Sequence, residues 1–257
     1  MKLRSGNLSW IRAAGVKAAL LACALLPISA SDGSYTLLST SSATIRIPSL
    51  IAWTPETITA AGSGDAFRGL LLARRCNHCH GQEGFSAEGA IPNLASLSRL
   101  SIWKQLRDFR DGKRHSAVME PIAATLSTQD MADAAAYYSM LPVMPDPQDN
   151  RTFPEASAKN ESLANATLLV SLGDGTRGIP PCQACHGPAG VVNAAPSLAT
   201  QNAEYVLEQL NAFANGSRTN DINMPMRTVA RLLTEDERHK LADFYGSGTG
   251  QLPMGVP

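Results

Sequence analysis

Cys76-Asn-His-Cys79-His80-Gly81 and Cys182-Gln-Ala-Cys185-His186-Gly187 are the two stretches of this 257-residue chain whose residue types and spacing could do chemistry. Two thiols three positions apart sit about one helical turn apart, and each can form a thioether to a haem vinyl group. The histidine that follows then lies beneath the iron, its imidazole held in place by the covalent tether. Each stretch is therefore read as an attachment site for one c-type haem, with Cys76, Cys79, Cys182 and Cys185 as the covalent anchors and His80 and His186 as iron ligands. Two other readings use the same residues. A thioredoxin-like dithiol needs a sheet around it, and no stretch shows a convincing strand alternation. One structural zinc could take both pairs, but each pair carries its own histidine at the same offset. The fifth cysteine, Cys23, falls in the N-terminal 30 residues, so none is left over for a disulfide.

A haem iron bound by one imidazole needs its sixth position explained, and a methionine thioether there suits electron transfer. The first stretch is followed by Met119, Met131, Met140 and Met144. Met119 stands in the loop-like Ser116-Ala-Val-Met-Glu-Pro121, whereas Met131 fits a core position. The second stretch is followed by Met224 and Met226 in Asn223-Met-Pro-Met-Arg227. Met119 precedes Ser127 by eight residues and Met226 precedes Thr234 by eight, which favours Met226 over Met224. His115 is the rival ligand to Met119. His78 lies between two cysteines and is expected to face outward; His239, among Glu237, Arg238 and Lys240, reads as a solvated helix residue.

The elements that must position these groups form a repeat. Pro92-Asn-Leu94-Ala95 matches Pro196-Ser-Leu198-Ala199 at an offset of 104, and Gln105-Leu106-x-x-Phe109-x-x-Gly112-x-Arg114 matches Gln209-Leu210-x-x-Phe213-x-x-Gly216-x-Arg218 at the same offset. Tyr138 matches Tyr245. The pattern is helical throughout. Asp65 to Arg75 has apolar positions at helical spacing and runs into the first cysteine pair. Arg99 to Asp111 puts Ile102, Leu106 and Phe109 on one face with its charges opposite. Ser127-x-x-Asp130 and Thr234-x-x-Glu237 read as capping boxes that open the last helix of each unit. Arg114 and Arg218 recur in register, either as partners of haem propionates or as exposed helix-end arginines. Each unit of about 85 residues, poor in aromatics, has a thin core of its own.

The expected organisation is an export signal at 1–30, an exposed Ser/Thr-rich extension at 31–60, a first unit at 61–145, a proline-rich linker at 146–161 and a second unit at 162–257. Residues 1–30 carry Lys2, Arg4, Arg12 and Lys17, no acid, and an apolar stretch that ends at Ile28-Ser-Ala30. The whole chain balances 22 basic against 22 acidic residues; without that segment it carries 18 against 22. A mildly acidic exported chain is a poor nucleic-acid binder. No apolar run reaches the roughly 18–20 residues of a membrane span. Basic residues of the first unit, Arg74, Arg75, Arg107, Arg110, Lys113 and Arg114, suit an acidic partner or an ordinary solvated surface equally.

Taken together, the export signal, the two Cys-x-x-Cys-His units, the recurring Gln-Leu-x-x-Phe-x-x-Gly-x-Arg segment and the late methionines resemble the di-haem cytochromes c of the cytochrome c4 family over about residues 62–248. The resemblance implies an all-α chain of two tandem class I cytochrome c domains, each a few helices around one covalent haem. It implies axial pairs His80 with Met119 and His186 with Met226. It also implies a periplasmic electron carrier with no catalytic residue, passing single electrons from a dehydrogenase or quinol-oxidising complex toward a terminal oxidase. A haem subunit of a membrane-associated dehydrogenase or oxidase complex, peripherally attached, keeps the same chemistry. A di-haem peroxidase is disfavoured, because each unit offers a methionine for the position an enzyme would leave open. The long 31–60 segment, the proline-heavy linker and the approach to the second cysteine pair through Gly173-Asp-Gly-Thr-Arg-Gly-Ile-Pro-Pro181 depart from the family pattern.

Overall fold

The computed structural model describes residues 48–49, 51–142, 159–187, 194–199 and 201–247, all within one unit that spans residues 45–257. The expected export signal, residues 31–47, most of the linker and the last ten residues lie outside the described residues. The described chain is helical, with one isolated bridge, Asp174 to Ile179, and no strand.

The first repeat holds α1 (Pro55–Gly62), α2 (Ala66–His80), α3 (Arg99–Arg110), α4 (Met119–Ala124) and α5 (Thr128–Met140). Short-range chemistry sets their starts. Asp65 accepts the Arg68 N–H at 2.8 Å, Ser98 that of Ser101 at 3.2 Å, and Ser127 with Asp130 forms the expected capping box. The core forms where α2 crosses α5. A Cβ on Gly69 would lie 2.7 Å from Tyr137 Cβ and 2.8 Å from the Asp133 carbonyl carbon, so only a glycine lets the two helices approach this closely. The facing run on α5 is small for the same reason, Ala132, Ala134, Ala135 and Ala136 being buried. Trp103, Met131 and Tyr138 fill the rest.

The second repeat holds α6 (Lys159–Ser171), α7 (Gln183–His186), α8 (Ala203–Asn215), α9 (Pro225–Leu232) and α10 (Glu235–Gly246). Its core gathers Val170, Ile179, Leu210, Leu241, Phe244 and Tyr245. Where α2 runs unbroken into its cysteine pair, α6 stops at Ser171 and residues 172–181 carry the chain to α7. Asp174 and Ile179 exchange two backbone bonds of 2.7 and 2.9 Å across this connection. Arg177 spans it, donating to Asp174 Oδ2 at 2.6 Å and to both carboxylate oxygens of Glu237 at 2.6 and 3.0 Å. Glu237 also closes the α10 capping box. Pro180 and Pro181 cannot continue a helix, which accounts for the late start of α7.

Two expectations need correction. The segment 31–60 does not stay exposed to its end: Thr54 caps α1, which packs on α3 and α5, and Ile51 is buried in the first core. Ser49 reaches Asp108 at 2.7 Å. The reason is apolar content, Ile51 and Trp53 having a core to join. The charges of α3 do not all face water either. Lys104 and Asp108 are 4% and 1% exposed, because the second repeat covers that face.

Candidate haem sites

In the first repeat α2 delivers all three groups, Cys76, Cys79 and His80, in its last turn. Gly81 ends the helix at φ 76°, where a Cβ would strike the Phe85 carbonyl. His80 is buried, and its Nδ1–H donates to the Pro92 carbonyl at 2.8 Å. In the second repeat His186 closes α7, and its Nδ1–H donates to the Pro196 carbonyl at the same 2.8 Å. Both bonds leave Nε2 with its lone pair free of the proton, the arrangement a metal-bound imidazole requires. Burial pulls both imidazoles below their usual pKa, so both stay neutral. Among the described residues the four cysteines form no disulfide, which leaves each sulfur available for a thioether. Tyr138 and Tyr245, matched in the repeat, stand beside Cys76 and Cys182 respectively.

The structure brings the residues of each Cys-x-x-Cys-His stretch together separately. Among the described residues no cluster of three or more metal-ligating His, Cys, Asp or Glu side chains forms, so the two pairs do not converge as one zinc site would need. Met119 opens α4, half-buried, its N–H bonded to Ser116 Oγ at 3.1 Å. Met226 packs against the second core from α9, whereas Met224 is 53% exposed at the α9 N-cap. Met131 is fully buried in the first core and Met140 is exposed; Met144 lies outside the described residues. His115 is exposed and pairs with Glu120 at 3.3 Å. His78 and His239 are exposed.

The recurring Gln-Leu-x-x-Phe-x-x-Gly-x-Arg segment turns out to build the contact between the repeats. Gly112 and Gly216 take left-handed φ of 64° and 78° after α3 and α8, which turns the chain back. Arg114 then lies 4.6 Å over the Phe109 ring and Arg218 4.5 Å over the Phe213 ring. The glutamines cross-link them. Gln105 Oε1 accepts from Arg114 at 2.9 Å and from Arg218 at 3.2 Å; Gln209 Oε1 accepts from Arg218 at 2.7 Å and from Arg114 at 2.9 Å. Neither arginine is an exposed helix end. Beside them Lys104 pairs with Asp108 and donates to the Asn220 carbonyl at 2.6 Å, and Asn220 donates to Asp108 at 2.7 Å. Burial and the neighbouring Arg114 charge push Arg218 down to about 9. Two guanidiniums, one ammonium and a single carboxylate leave this interior short of negative charge, and the Arg218 charge reaches His186. A group that carries carboxylates of its own, as haem does, fits that deficit.

Sequence reasoning missed Lys104, Asp108, Gln201, Tyr205 and Asn220 as contact residues. The available signal was the doubled Gln and Arg: two polar residues kept in register in two units mark a shared surface.

No protein-family model matches the chain. Curated relatives do. The thiosulfate dehydrogenase electron acceptor of Stutzerimonas stutzeri (strain A1501) is 39% identical over 188 residues, 71% of this chain and 82% of that protein. Cytochrome c4 of Pseudomonas aeruginosa is 36% identical over 189 residues, 72% of this chain and 89% of its own length. The crystal structure of reduced recombinant cytochrome c4 from Pseudomonas stutzeri superimposes with a TM-score of 0.61 at 31% identity, covering 72% of this chain and 98% of that one.

Proposed function

The chain belongs to the cytochrome c4 family of di-haem electron-transfer cytochromes, and from that premise we propose which residues hold the haems and which partners they serve. Cys76 and Cys79 anchor the first haem and Cys182 and Cys185 the second. His80 with Met119 and His186 with Met226 are the axial pairs. One observation carries the assignment: each histidine directs Nδ1–H to a proline carbonyl at 2.8 Å and so presents Nε2. The partial burial of Met226 against the second core, with Met224 exposed, supports the choice between them.

When bound, each haem iron accepts and releases one electron. The chain supplies the rest. The proline carbonyls fix the tautomer and the plane of each imidazole, so the ligand needs no reorientation on electron transfer. Cys76 with Cys79 at the end of α2, and Cys182 with Cys185 at α7, would tether one haem each. The interior between the repeats, held by Arg114, Arg218, Gln105 and Gln209, offsets the carboxylates that haem brings with it. No residue is assigned a proton-transfer or nucleophilic role.

The carrier works in the periplasm, passing electrons toward a terminal oxidase. A second reading gives it a dehydrogenase donor and a place as the haem subunit of that complex; the relative described as a thiosulfate dehydrogenase electron acceptor favours it. An absorption spectrum of the exported chain, oxidised, reduced and reduced under carbon monoxide, tests the ligand set. Two low-spin haems with no carbon monoxide response are expected. A high-spin, carbon monoxide-binding fraction refutes at least one methionine. Co-purification with a dehydrogenase separates the two partner readings.

A further inference from the structure

The two repeats are not equivalent where they meet. In the register of 104 fixed by Leu94-Ala95/Leu198-Ala199 and Gln105-Leu106/Gln209-Leu210, Gln201 corresponds to Leu97 and Tyr205 to Ser101. Gln201 is 4% exposed and grips the first repeat: its Oε1 accepts the Asn93 N–H at 2.8 Å and its Nε2 donates to the Asn93 carbonyl at 3.1 Å. Neighbours secure the same loop. Asn202 donates to the carbonyls of Ile91 at 2.7 Å and Glu88 at 3.1 Å, and the Tyr205 N–H donates to the Gly89 carbonyl at 3.0 Å. The Tyr205 hydroxyl accepts from Arg114 at 2.8 Å.

The Asn93 N–H belongs to the same peptide group as the Pro92 carbonyl that His80 uses. A continuous chain of bonds therefore runs from the His80 Nδ1–H into the Pro92 carbonyl, across one peptide unit, and out through the Asn93 N–H to Gln201. Hydrogen bonds in series polarise one another: an acceptor on the N–H makes the carbonyl of that peptide a better acceptor. In the second repeat the corresponding peptide is Pro196–Ser197, and the corresponding residue across the contact, Leu97, has no polar side chain to offer it. Ser101, the counterpart of Tyr205, is buried with its hydroxyl unpartnered among the described residues.

We propose that Gln201 is a positioning residue contributed by the second repeat to the first haem site, strengthening the His80–Pro92 bond and lowering the reduction potential of the first haem alone. The inference rests on the reading of His80 as an iron ligand. A stronger bond at Nδ1 makes the imidazole a more basic donor, and a more basic donor favours ferric iron. The first haem thereby registers whether the second repeat is docked, and among the described residues no matching contact runs the other way.

The test uses the haem-loaded full chain, with spectropotentiometric titration and each wave assigned by its haem-methyl NMR signals. Gln201→Leu is expected to raise the first midpoint, shifting that reduction equilibrium about threefold to tenfold, tenfold being 59 mV for one electron, and to leave the second unchanged. Gln201→Glu keeps an acceptor for the Asn93 N–H and is expected to hold the first midpoint at or below that of the unaltered chain. The unaltered chain gives a reading free of any folding defect: the His80 Nδ1–H should exchange with solvent more slowly than that of His186. Equal shifts at both haems, no shift, or equal exchange at the two histidines overturns the proposal. A His80→Gly chain that keeps two low-spin haems inert to carbon monoxide refutes the ligand reading instead.

Discussion

Gly69→Ala sets two effects of known size against each other. In a helix interior, replacing glycine with alanine normally gains about 1 kcal/mol of helix propensity. At this crossing the new methyl would stand 2.7 Å from Tyr137 Cβ and 2.8 Å from the Asp133 carbonyl carbon. Carbon atoms at rest sit about 3.5–4.0 Å apart, so α2 and α5 must part by roughly 0.8 Å or more. Neither obstacle is the far end of a flexible side chain, so the strain falls on the helices themselves. Overpacking of this kind costs about 1–3 kcal/mol, and opening the contact also loosens the buried alanines of α5. Against the propensity gain of about 1 kcal/mol, the overpacking alone leaves a net loss of up to about 2 kcal/mol, to which the loosened alanines add. For one unit spanning residues 45–257, a loss of about 1–2 kcal/mol is a fall in Tm of about 2–8 °C, measured by far-ultraviolet circular dichroism on the haem-loaded chain. Gly62→Ala is the control, because nothing lies within 4 Å of its new Cβ; its stability should stay within about 0.5 kcal/mol of the parent. A Gly69→Ala chain as stable as the parent, or more so, would refute the close-crossing argument.

Met226→Ala should open the second iron to carbon monoxide while Met224→Ala leaves both haems inert, followed by reduced-minus-carbon-monoxide difference spectra. Asp133 accepts from the Asp65 N–H, from Arg68 and from Gln129, and the bonds from Arg68 hold its carboxyl at about 2. That lies below the ordinary carboxylate range, so its contribution is fully present above about pH 4 and is lost as pH falls through 2. Asp133→Asn should lower Tm at neutral pH and flatten the acid limb of a Tm-against-pH series. Lys104→Met leaves the buried Asp108 without its cation and should cost about 3–5 kcal/mol, whereas Lys104→Met with Asp108→Leu should recover part of the loss, read by chemical denaturation.

What was legible in the chain was local. The Cys-x-x-Cys-His spacing and the capping boxes at Ser127 and Thr234 each involve atoms within one helical turn, so neighbouring residues declare them. Helical periodicity correctly set Ile102 and Phe109 toward the core, but it could not say what lies against the other face of α3. Lys104 and Asp108 therefore read as solvated, though Asn220, 112 residues beyond Asp108, covers them. Arg114 and Arg218 were legible as a pair and illegible as to place, since their partners come from the opposite repeat. The α1 segment escaped the repeat comparison because the second unit has no copy of it to compare. Gly69 gave no signal either: a glycine in a helical pattern is uninformative until the crossing helix is known.

The break between α6 and α7 separates the two sites mechanically. Cys76 and His80 ride on the end of a rigid 15-residue rod, so a push on the outer face of α2 moves them as a lever moves its tip. In the second repeat the connection from 172 to 181 leaves the site tied on two sides, to α6 through the Cys182 N–H to Leu169 carbonyl bond of 3.5 Å and the Gln183 Nε2 to Ser171 carbonyl bond of 3.3 Å, and to α10 through the Arg177–Glu237 clamp. One site thus takes its frame of reference from a single helix and the other from two. A nudge that one helix carries to the first site is shared between two helices at the second.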